Sequence, residues 1–456
     1  MVSYKLEDQM IDLTLIAAVL IGIIILLVLI LKFKVQAFIA LLIASICVGV
    51  LSGMSPDQII ITMQEGMGNT LGFVAMVVGL GAMFGAILEH SGGAEALANY
   101  LLKKFGEKHA SWALMITGFL IAIPVFFDVA FIILVPLIYS LQRKTKKSLL
   151  LYGIPLLAGL AITHAFIPPT PGPVAVADIL KADLGWVILF GGIVGIPTAI
   201  ISGPLFGKYI SKKIHINAPN LQTEKQTNTD YPAVSLTLSI ICIPILLIVG
   251  NTLLNSPLFE NLNLSDSTVS WLKMIGHPFT ALIIANMIAW YVLGIKRKTS
   301  KTVLQKITTA SMAPAGIIIL LTGAGGVFKQ MLVNTKTGEM LANYFADKGV
   351  SVLLFAFLAA VIVRVLQGSA TVAMITAAGL TAPLLLEGIS DINKALLVIA
   401  IASGASIMSH VNDSGFWLVS KYLGLTETQT FKSWTVLTTI IALVGFSVVC
   451  LLKLFM

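Results

Sequence analysis

The chain has 456 residues, of which 57% are hydrophobic and only 11% charged, with a formal net charge of +8. Its mean hydropathy is +0.97. A soluble domain carries about 25% charged residues, so a water-soluble fold is excluded. The positive charge does not point to nucleic acid, because Lys and Arg concentrate in short loops between apolar runs, the pattern of membrane orientation.

Leu13 to Leu31 is an uncharged run of 19 residues, long enough to cross a hydrocarbon core of about 30 Å. Lys5 mixes with Glu7, Asp8 and Asp12 ahead of it. The run is too long for a signal h-region and no small-residue cleavage site follows, so the segment is expected to be retained. Spans are predicted near residues 11–31, 35–53 and 71–89, then a long element at 111–141, a broken span at 149–181 and a span at 186–207. Lys212 to Asp230, rich in Asn, Thr and Gln, reads as an exposed linker. Spans near 233–251, 275–294 and 311–329 follow, then a long element at 350–386, a broken span at 393–420 and a last span at 433–455. A β-barrel would instead show weakly alternating segments of about ten residues.

The second half repeats the first. Gly81, Phe84, Glu95 and Leu97 to Tyr100 recur 244 positions later as Gly325, Phe328, Glu339 and Leu341 to Tyr344. His164 meets His410 at a spacing of 246. The 31-residue element at 111–141 carries one charge, Asp128, near its middle. Two crossings need about 40 residues and one about 20, so the length fits a hairpin that turns at Pro124 to Asp128 and leaves on the side it entered. Its counterpart turns near Gln367-Gly368-Ser369. With the N-terminus outside, inside loops hold 20 of the 29 basic residues and the outside about 8, with Arg364 inside the second hairpin. Both termini are then outside. Each half crosses an odd number of times, so the repeats are inverted. The expected fold is an all-α polytopic membrane protein with two inverted-topology repeats, re-entrant helical hairpins and discontinuous transmembrane helices. Two related halves are a common plan of secondary transporters, with the site between them near the bilayer midplane.

Candidate functional residues gather at the breaks. Asp128 stands at the first hairpin tip, in Phe126-Phe127-Asp128-Val129-Ala130. An ionisable residue at that depth is functional by default, and low dielectric favours its neutral form, which makes it a candidate proton carrier. The structural alternative is a salt bridge to Arg364. His164 opens Thr163-His164-Ala165-Phe166-Ile167-Pro168-Pro169-Thr170-Pro171-Gly172-Pro173. Four prolines within six residues cannot continue a helix, but they can end one half-helix and start another. Such half-helix N-termini suit a carboxylate. In the second half, Asn412, Asp413 and Ser414 can bind a hydroxylated ligand or cap a half-helix at Gly415, and Asp413 can equally pair with His410. Gln367-Gly368-Ser369-Ala370-Thr371 can form an anion nest, one turn after Arg364, whose guanidinium binds carboxylates bidentately, partners Asp128 or anchors to backbone carbonyls. Gly79, Gly81 and Gly85, like Gly323, Gly325 and Gly326, are expected at close helix crossings. Cys47, Cys242 and Cys450 lie far apart in apolar segments and suggest neither disulfide nor metal. No metal spacing, nucleotide loop or nucleophile–base motif emerges, so neither an enzyme nor a cofactor is expected.

These motifs resemble the gluconate permeases, proton-coupled gluconate symporters of bacteria. The resemblance covers nearly the whole chain. It is carried by Thr163 to Pro173, by Gly368-Ser369-Ala370-Thr371-Val372-Ala373, by Ser409-His410-Val411-Asn412-Asp413-Ser414-Gly415-Phe416-Trp417, and by Gly79-Leu80-Gly81-Ala82-Met83-Phe84-Gly85. The family's usual glutamate at the first hairpin tip is Asp128 here, a shorter carboxyl. The resemblance implies import of gluconate or a related sugar acid with protons across the bacterial cytoplasmic membrane. It also implies a homodimer with an elevator-type motion, by kinship with sodium–dicarboxylate carriers. The alternative is a sodium-coupled carboxylate symporter of the same fold, or a permease for another hydroxy acid or D-serine. Substrate is then expected on His164, Pro169, Thr170, Gly172, Gly368, Ser369, Thr371, His410 and Asn412. Protons are expected on Asp128, His164 and Asp413, with Arg364 as the charge partner. Residues 1–110 and 231–349 would be scaffold, 111–213 and 350–456 the moving part, and 214–230 a cytoplasmic linker.

Overall fold

A computed structural model describes residues 15, 17–18, 20–26, 28–29, 32–219, 231–254, 265–335, 351–385, 388–410 and 413–455. Among them no strand occurs. Among the described residues, seven helices are long and apolar enough to cross a membrane. The expected span 11–31 falls partly outside the described residues, with 20–26 helical. The repeated run at Glu339 and Leu341 to Tyr344 lies outside them.

The first half holds α1 (Ala37–Leu51), α2 (Pro56–His90) and α3 (Gly93–Phe105). The hairpin arms follow as α4 (Ala110–Ile121) and α5 (Phe127–Thr145), and the broken span as α6 (Leu150–Phe166) and α7 (Pro171–Leu180). Next come α8 (Leu184–Ile200), a π-helical turn at Ile201–Leu205, and α9 (Phe206–Lys213). The second half runs α10 (Val234–Leu254), α11 (Asp266–Gly276), α12 (Pro278–Ala289), α13 (Lys301–Ala310) and α14 (Met312–Asn334). Its hairpin is α15 (Val352–Gln367) and α16 (Ala370–Thr381), its broken span α17 (Asp391–Ala405) and α18 (Ser414–Leu423), and its last span α19 (Val436–Leu454). The fold is thus all-α, with two inverted-topology repeats that each carry a hairpin and a discontinuous helix. A hidden likeness supports the repeat: Gly159 and Gly404 each close on a carbonyl of the preceding hairpin arm, that of Met115 and that of Phe357.

One span is longer than expected. Helix α2 starts at residue 56 rather than 71, and its 35 residues make it about 52 Å long. Ser55 accepts from the Gln58 N–H, Gln58 returns the bond to Ser55, and Pro56 takes the first turn. That capping box sets the start, whereas hydropathy marks only the part crossing the bilayer. The linker also differs from expectation. Its first residues are pinned, since the Leu149 N–H donates to the Ile216 carbonyl at 2.8 Å and the Ala218 N–H to Gln142 Oε1 at 3.2 Å. Residues 220–230 lie outside the described set.

The broken helices occupy the centre. Every residue of α7 is buried, as are Ala395 to Ala405 of α17. Helix α7 packs along α16, while α2 and α14 pair with each other at the flank. Gly66 and Gly326 meet where α2 and α14 cross. Gly85 of α2 does a different job. A Cβ there would lie 2.0 Å from the Pro124 carbonyl oxygen at the first hairpin tip. Gly79 does not fit the close-packing expectation, since nothing lies within 4 Å of its Cβ position. Gly85→Ala therefore costs about 1–3 kcal/mol by forcing backbone apart. Gly79→Ala instead gains up to about 1 kcal/mol of helix propensity. Thermal melting of the two variants in detergent checks the contrast; equal melting points would refute it.

Candidate functional site

Both breaks leave the helix at membrane depth, where each free backbone group needs a partner. The two halves solve this differently. At residues 167–170 the prolines remove donors outright. Thr170 Oγ1 then donates to the Ile167 carbonyl at 2.6 Å. The second break keeps its donors and the last span satisfies them. The Ser409 N–H donates to Thr438 Oγ1 at 3.0 Å, Thr435 Oγ1 to the Ser409 carbonyl at 2.5 Å, and Trp434 Nε1 to Ser409 Oγ at 2.6 Å. At the second hairpin tip Gly368 turns the chain with φ +92°, a left-handed conformation that glycine adopts without strain. Ser369 then caps α16 by accepting from the Val372 N–H.

These breaks converge on one cavity of about 640 Å³. Four helix N-termini line it: α5 at Phe127 and Asp128, α7 at Pro171 and Gly172, α16 at Ala370 and Thr371, and α18 at Ser414 and Gly415. Each carries the positive end of a helix dipole, equivalent to about half a charge. Two of the four carry an acid of their own. Asp128 sits in the first turn of α5, and Asp413 caps α18 by accepting from the Gly415 N–H at 3.1 Å. The other two, α7 and α16, are bare of acids in their first turns. Among the described residues, the N–H groups of Gly172, Ala370 and Thr371 have no backbone partner. The two ends lie side by side, for a Cβ on Gly172 would come within 2.6 Å of Met374 Sδ.

The cavity charges are unevenly committed. Arg364, buried, donates through one Nη to Asp413 Oδ2 at 2.5 Å and through the other to the Gly368 carbonyl. Asp413 also accepts from the Ser409 hydroxyl. Of the sequence alternatives, the anchoring of Arg364 to a backbone carbonyl occurs, at Gly368, whereas its acid partner is Asp413 rather than Asp128, and the Asp413 side chain does not pair with the His410 ring. His410 Nε2 instead donates to the Val365 carbonyl at 2.9 Å. Asp128 opens into the cavity and makes no hydrogen bond or ion pair among the described residues.

Of the residues singled out in sequence, Asp128, His164, Gly172, Arg364, Gly368, Ser369, Thr371 and Asp413 line the cavity. His164 Nδ1 is buried without a hydrogen-bond partner among the described residues. Pro169 and Thr170 instead line a small recess against α2 at Gly81. His410 is outside the cavity wall, and Asn412 lies outside the described residues. Sequence reasoning missed Phe126, whose ring stands edge-on to His164 with centroids 6.3 Å apart. It also missed Trp434 and Thr438 of the last span, both in the cavity wall. No local signal marks them, since an aromatic or a threonine in an apolar span is ordinary.

The model of the GntP family permeases matches residues 13–455. The chain belongs to the GntP permease family. It is similar to the gluconate permease of Pseudomonas aeruginosa, with 40% identity over 95% of this chain and 96% of that protein. It is equally similar, at 40% identity, to the low-affinity gluconate transporter of Escherichia coli, over 96% and 97% of the two chains. The inner membrane permease YgbN of Escherichia coli is also 40% identical, over 95% and 97%. These GntP relatives are named permeases and transporters, not enzymes. The structure of the YdaH transporter of Alcanivorax borkumensis matches the fold with a TM-score of 0.59 at 17% identity, covering 88% of this chain and 90% of that one. This GntP member is accordingly a multi-pass membrane transporter.

Proposed function

We propose that the protein imports D-gluconate or a close sugar acid into the bacterial cell together with protons. The observation that carries this is the convergence of four half-helix N-termini on one cavity, where two carry the acids Asp128 and Asp413 and two are bare of acid. A carboxylate placed on the N–H groups of Gly172, Ala370 and Thr371 meets positive dipole ends without needing a free cation. Arg364 is already balanced by Asp413, so the helix ends bind the anion and Arg364 joins the second hairpin to the second break. Ser369, the Thr371 hydroxyl and His164 are within the wall to receive the sugar hydroxyls. The names of the relatives support gluconate as the ligand.

Asp128 is the proton carrier in this reading, because among the described residues it alone of the cavity's charged groups lacks a partner. Its protonation removes the negative charge beside the incoming anion. We place α7, α16 and the hairpins in a part that moves against α2 and α14 in an elevator-type cycle, within a homodimer with termini outside. His164→Ala weakens gluconate binding by about 1–3 kcal/mol, or about 5- to 150-fold in Kd, because a buried polar partner is lost. Unchanged affinity in a well-folded variant would remove His164 from the site.

Proteoliposomes test the reading. An inward acid gradient should drive gluconate uptake without sodium; strict sodium dependence would replace protons as the coupling ion. With one proton per gluconate the transported unit is neutral, so the membrane potential does no net work on it, although it acts at about 2.3 kcal/mol per charge per 100 mV. A potassium–valinomycin potential, inside negative at equal pH and equal substrate, should then produce no net accumulation. Sustained potential-driven uptake would require more than one proton per anion.

A further inference from the structure

A second cavity, of about 450 Å³, lies between α2, α13 and the tip of the first hairpin. Phe126 and Val129 line both this cavity and the one that holds the helix N-termini. The tip is seated firmly, for the Pro124 carbonyl rests on Gly85 with no space for a Cβ. Phe126 itself is held differently. It precedes α5 in an extended conformation, and its ring covers His164 edge-on. At the far end of the second cavity His90 and Lys306 are exposed and Glu89 is half-buried. That end adjoins Lys296, Arg297, Lys298 and Lys301 in the chain, a basic cluster that the positive-inside rule puts in the cytoplasm.

We propose that the second cavity is the cytoplasmic release vestibule for the transported hydroxy acid, with Phe126 as the barrier between it and the binding cavity. This rests on the transport reading above and on the orientation given there. Continuity with the binding cavity names the occupant, since a ligand that passes Phe126 and Val129 has this space to enter. The vestibule walls are mostly apolar, and neither of the two acid-free N-termini, those of α7 and α16, contributes to them. It therefore holds a carboxylate weakly, and weak binding is what release requires. Lys306 at the mouth offers the departing anion a full positive charge.

Substituted-cysteine labelling tests the assignment, in a chain whose Cys47, Cys242 and Cys450 are replaced by serine. A membrane-impermeant, negatively charged methanethiosulfonate is added to right-side-out or inside-out vesicles. Ala310→Cys, in the vestibule, should react only from the cytoplasmic face. Ala161→Cys, in the binding cavity, should react from that face about tenfold faster once Phe126→Ala is added. Phe126→Leu serves as a milder second variant if Phe126→Ala is not monodisperse. Labelling of Ala310→Cys from the opposite face only would overturn the proposal. So would an Ala161→Cys rate from the cytoplasmic face that is indifferent to residue 126. The readout needs no substrate, so failure of gluconate uptake would refute the functional reading while leaving this one standing or falling on its own result.

Discussion

Arg364→Met lowers the unfolding free energy by about 3–5 kcal/mol, because it strands the Asp413 carboxylate in a low-dielectric wall. The pair is buried on the arginine side, with a side-chain exposure of 5% against 13% for Asp413. It joins two separated pieces of chain: the second hairpin, whose arm it also ties to the tip through the Gly368 carbonyl, and the cap of α18. Transport should be lost with it. Loss of fold and loss of a ligand contact are separated by the double variant Arg364→Met with Asp413→Asn. That pair leaves no bare carboxylate, and asparagine still caps an N-terminus well. Most of the lost melting temperature should therefore return. A single variant that melts like the unaltered protein in detergent would show that the pair is not holding the site together.

Asp128→Asn should abolish accumulation driven by a pH gradient while leaving counterflow of gluconate. A one-proton symporter gains about 1.36 kcal/mol per pH unit, or about tenfold accumulation, and all of it passes through the group that changes charge. Exchange needs no such change, because the loaded carrier returns loaded. The substitution is nearly isosteric and opens onto the cavity, so folding should be little affected. Radiolabelled uptake and counterflow in the same proteoliposomes measure both quantities. Accumulation equal to that of the unaltered protein would make Asp128 a bystander, and the proton site would have to be sought elsewhere.

Much of this site could be read from local rules. The proline run at 168–173 cannot continue a helix but can start one, so a break in the first half was expected, and α6 ends and α7 begins there. Gly368-Ser369 is a turn and a cap in one dipeptide, and the second hairpin turns on it. Asn412, Asp413 and Ser414 were each read as able to bind a ligand or to cap at Gly415, and Asp413 caps there. The start of α2 was also written in the sequence, as Ser55-Pro56-Asp57-Gln58, but hydropathy outweighed that signal and shortened the expected span. Each of these depends on residues within one turn of each other.

Composition and periodicity by themselves determined the membrane class, the doubled all-α plan and the places where helices must stop, because each is set by short-range sterics or by the cost of placing charge in hydrocarbon. Only the tertiary structure decided who meets whom. Arg364 and Asp413 are 49 positions apart, and the sequence offered Asp128 as the acid for Arg364 and His410 as the partner of Asp413. Ser409 is satisfied by Trp434, Thr435 and Thr438 from the next span, a debt that exists only because the break keeps its donors. Phe126 separates two cavities that no stretch of sequence contains. Such pairings follow from packing, which brings distant residues together by shape and leaves no periodic trace along the chain.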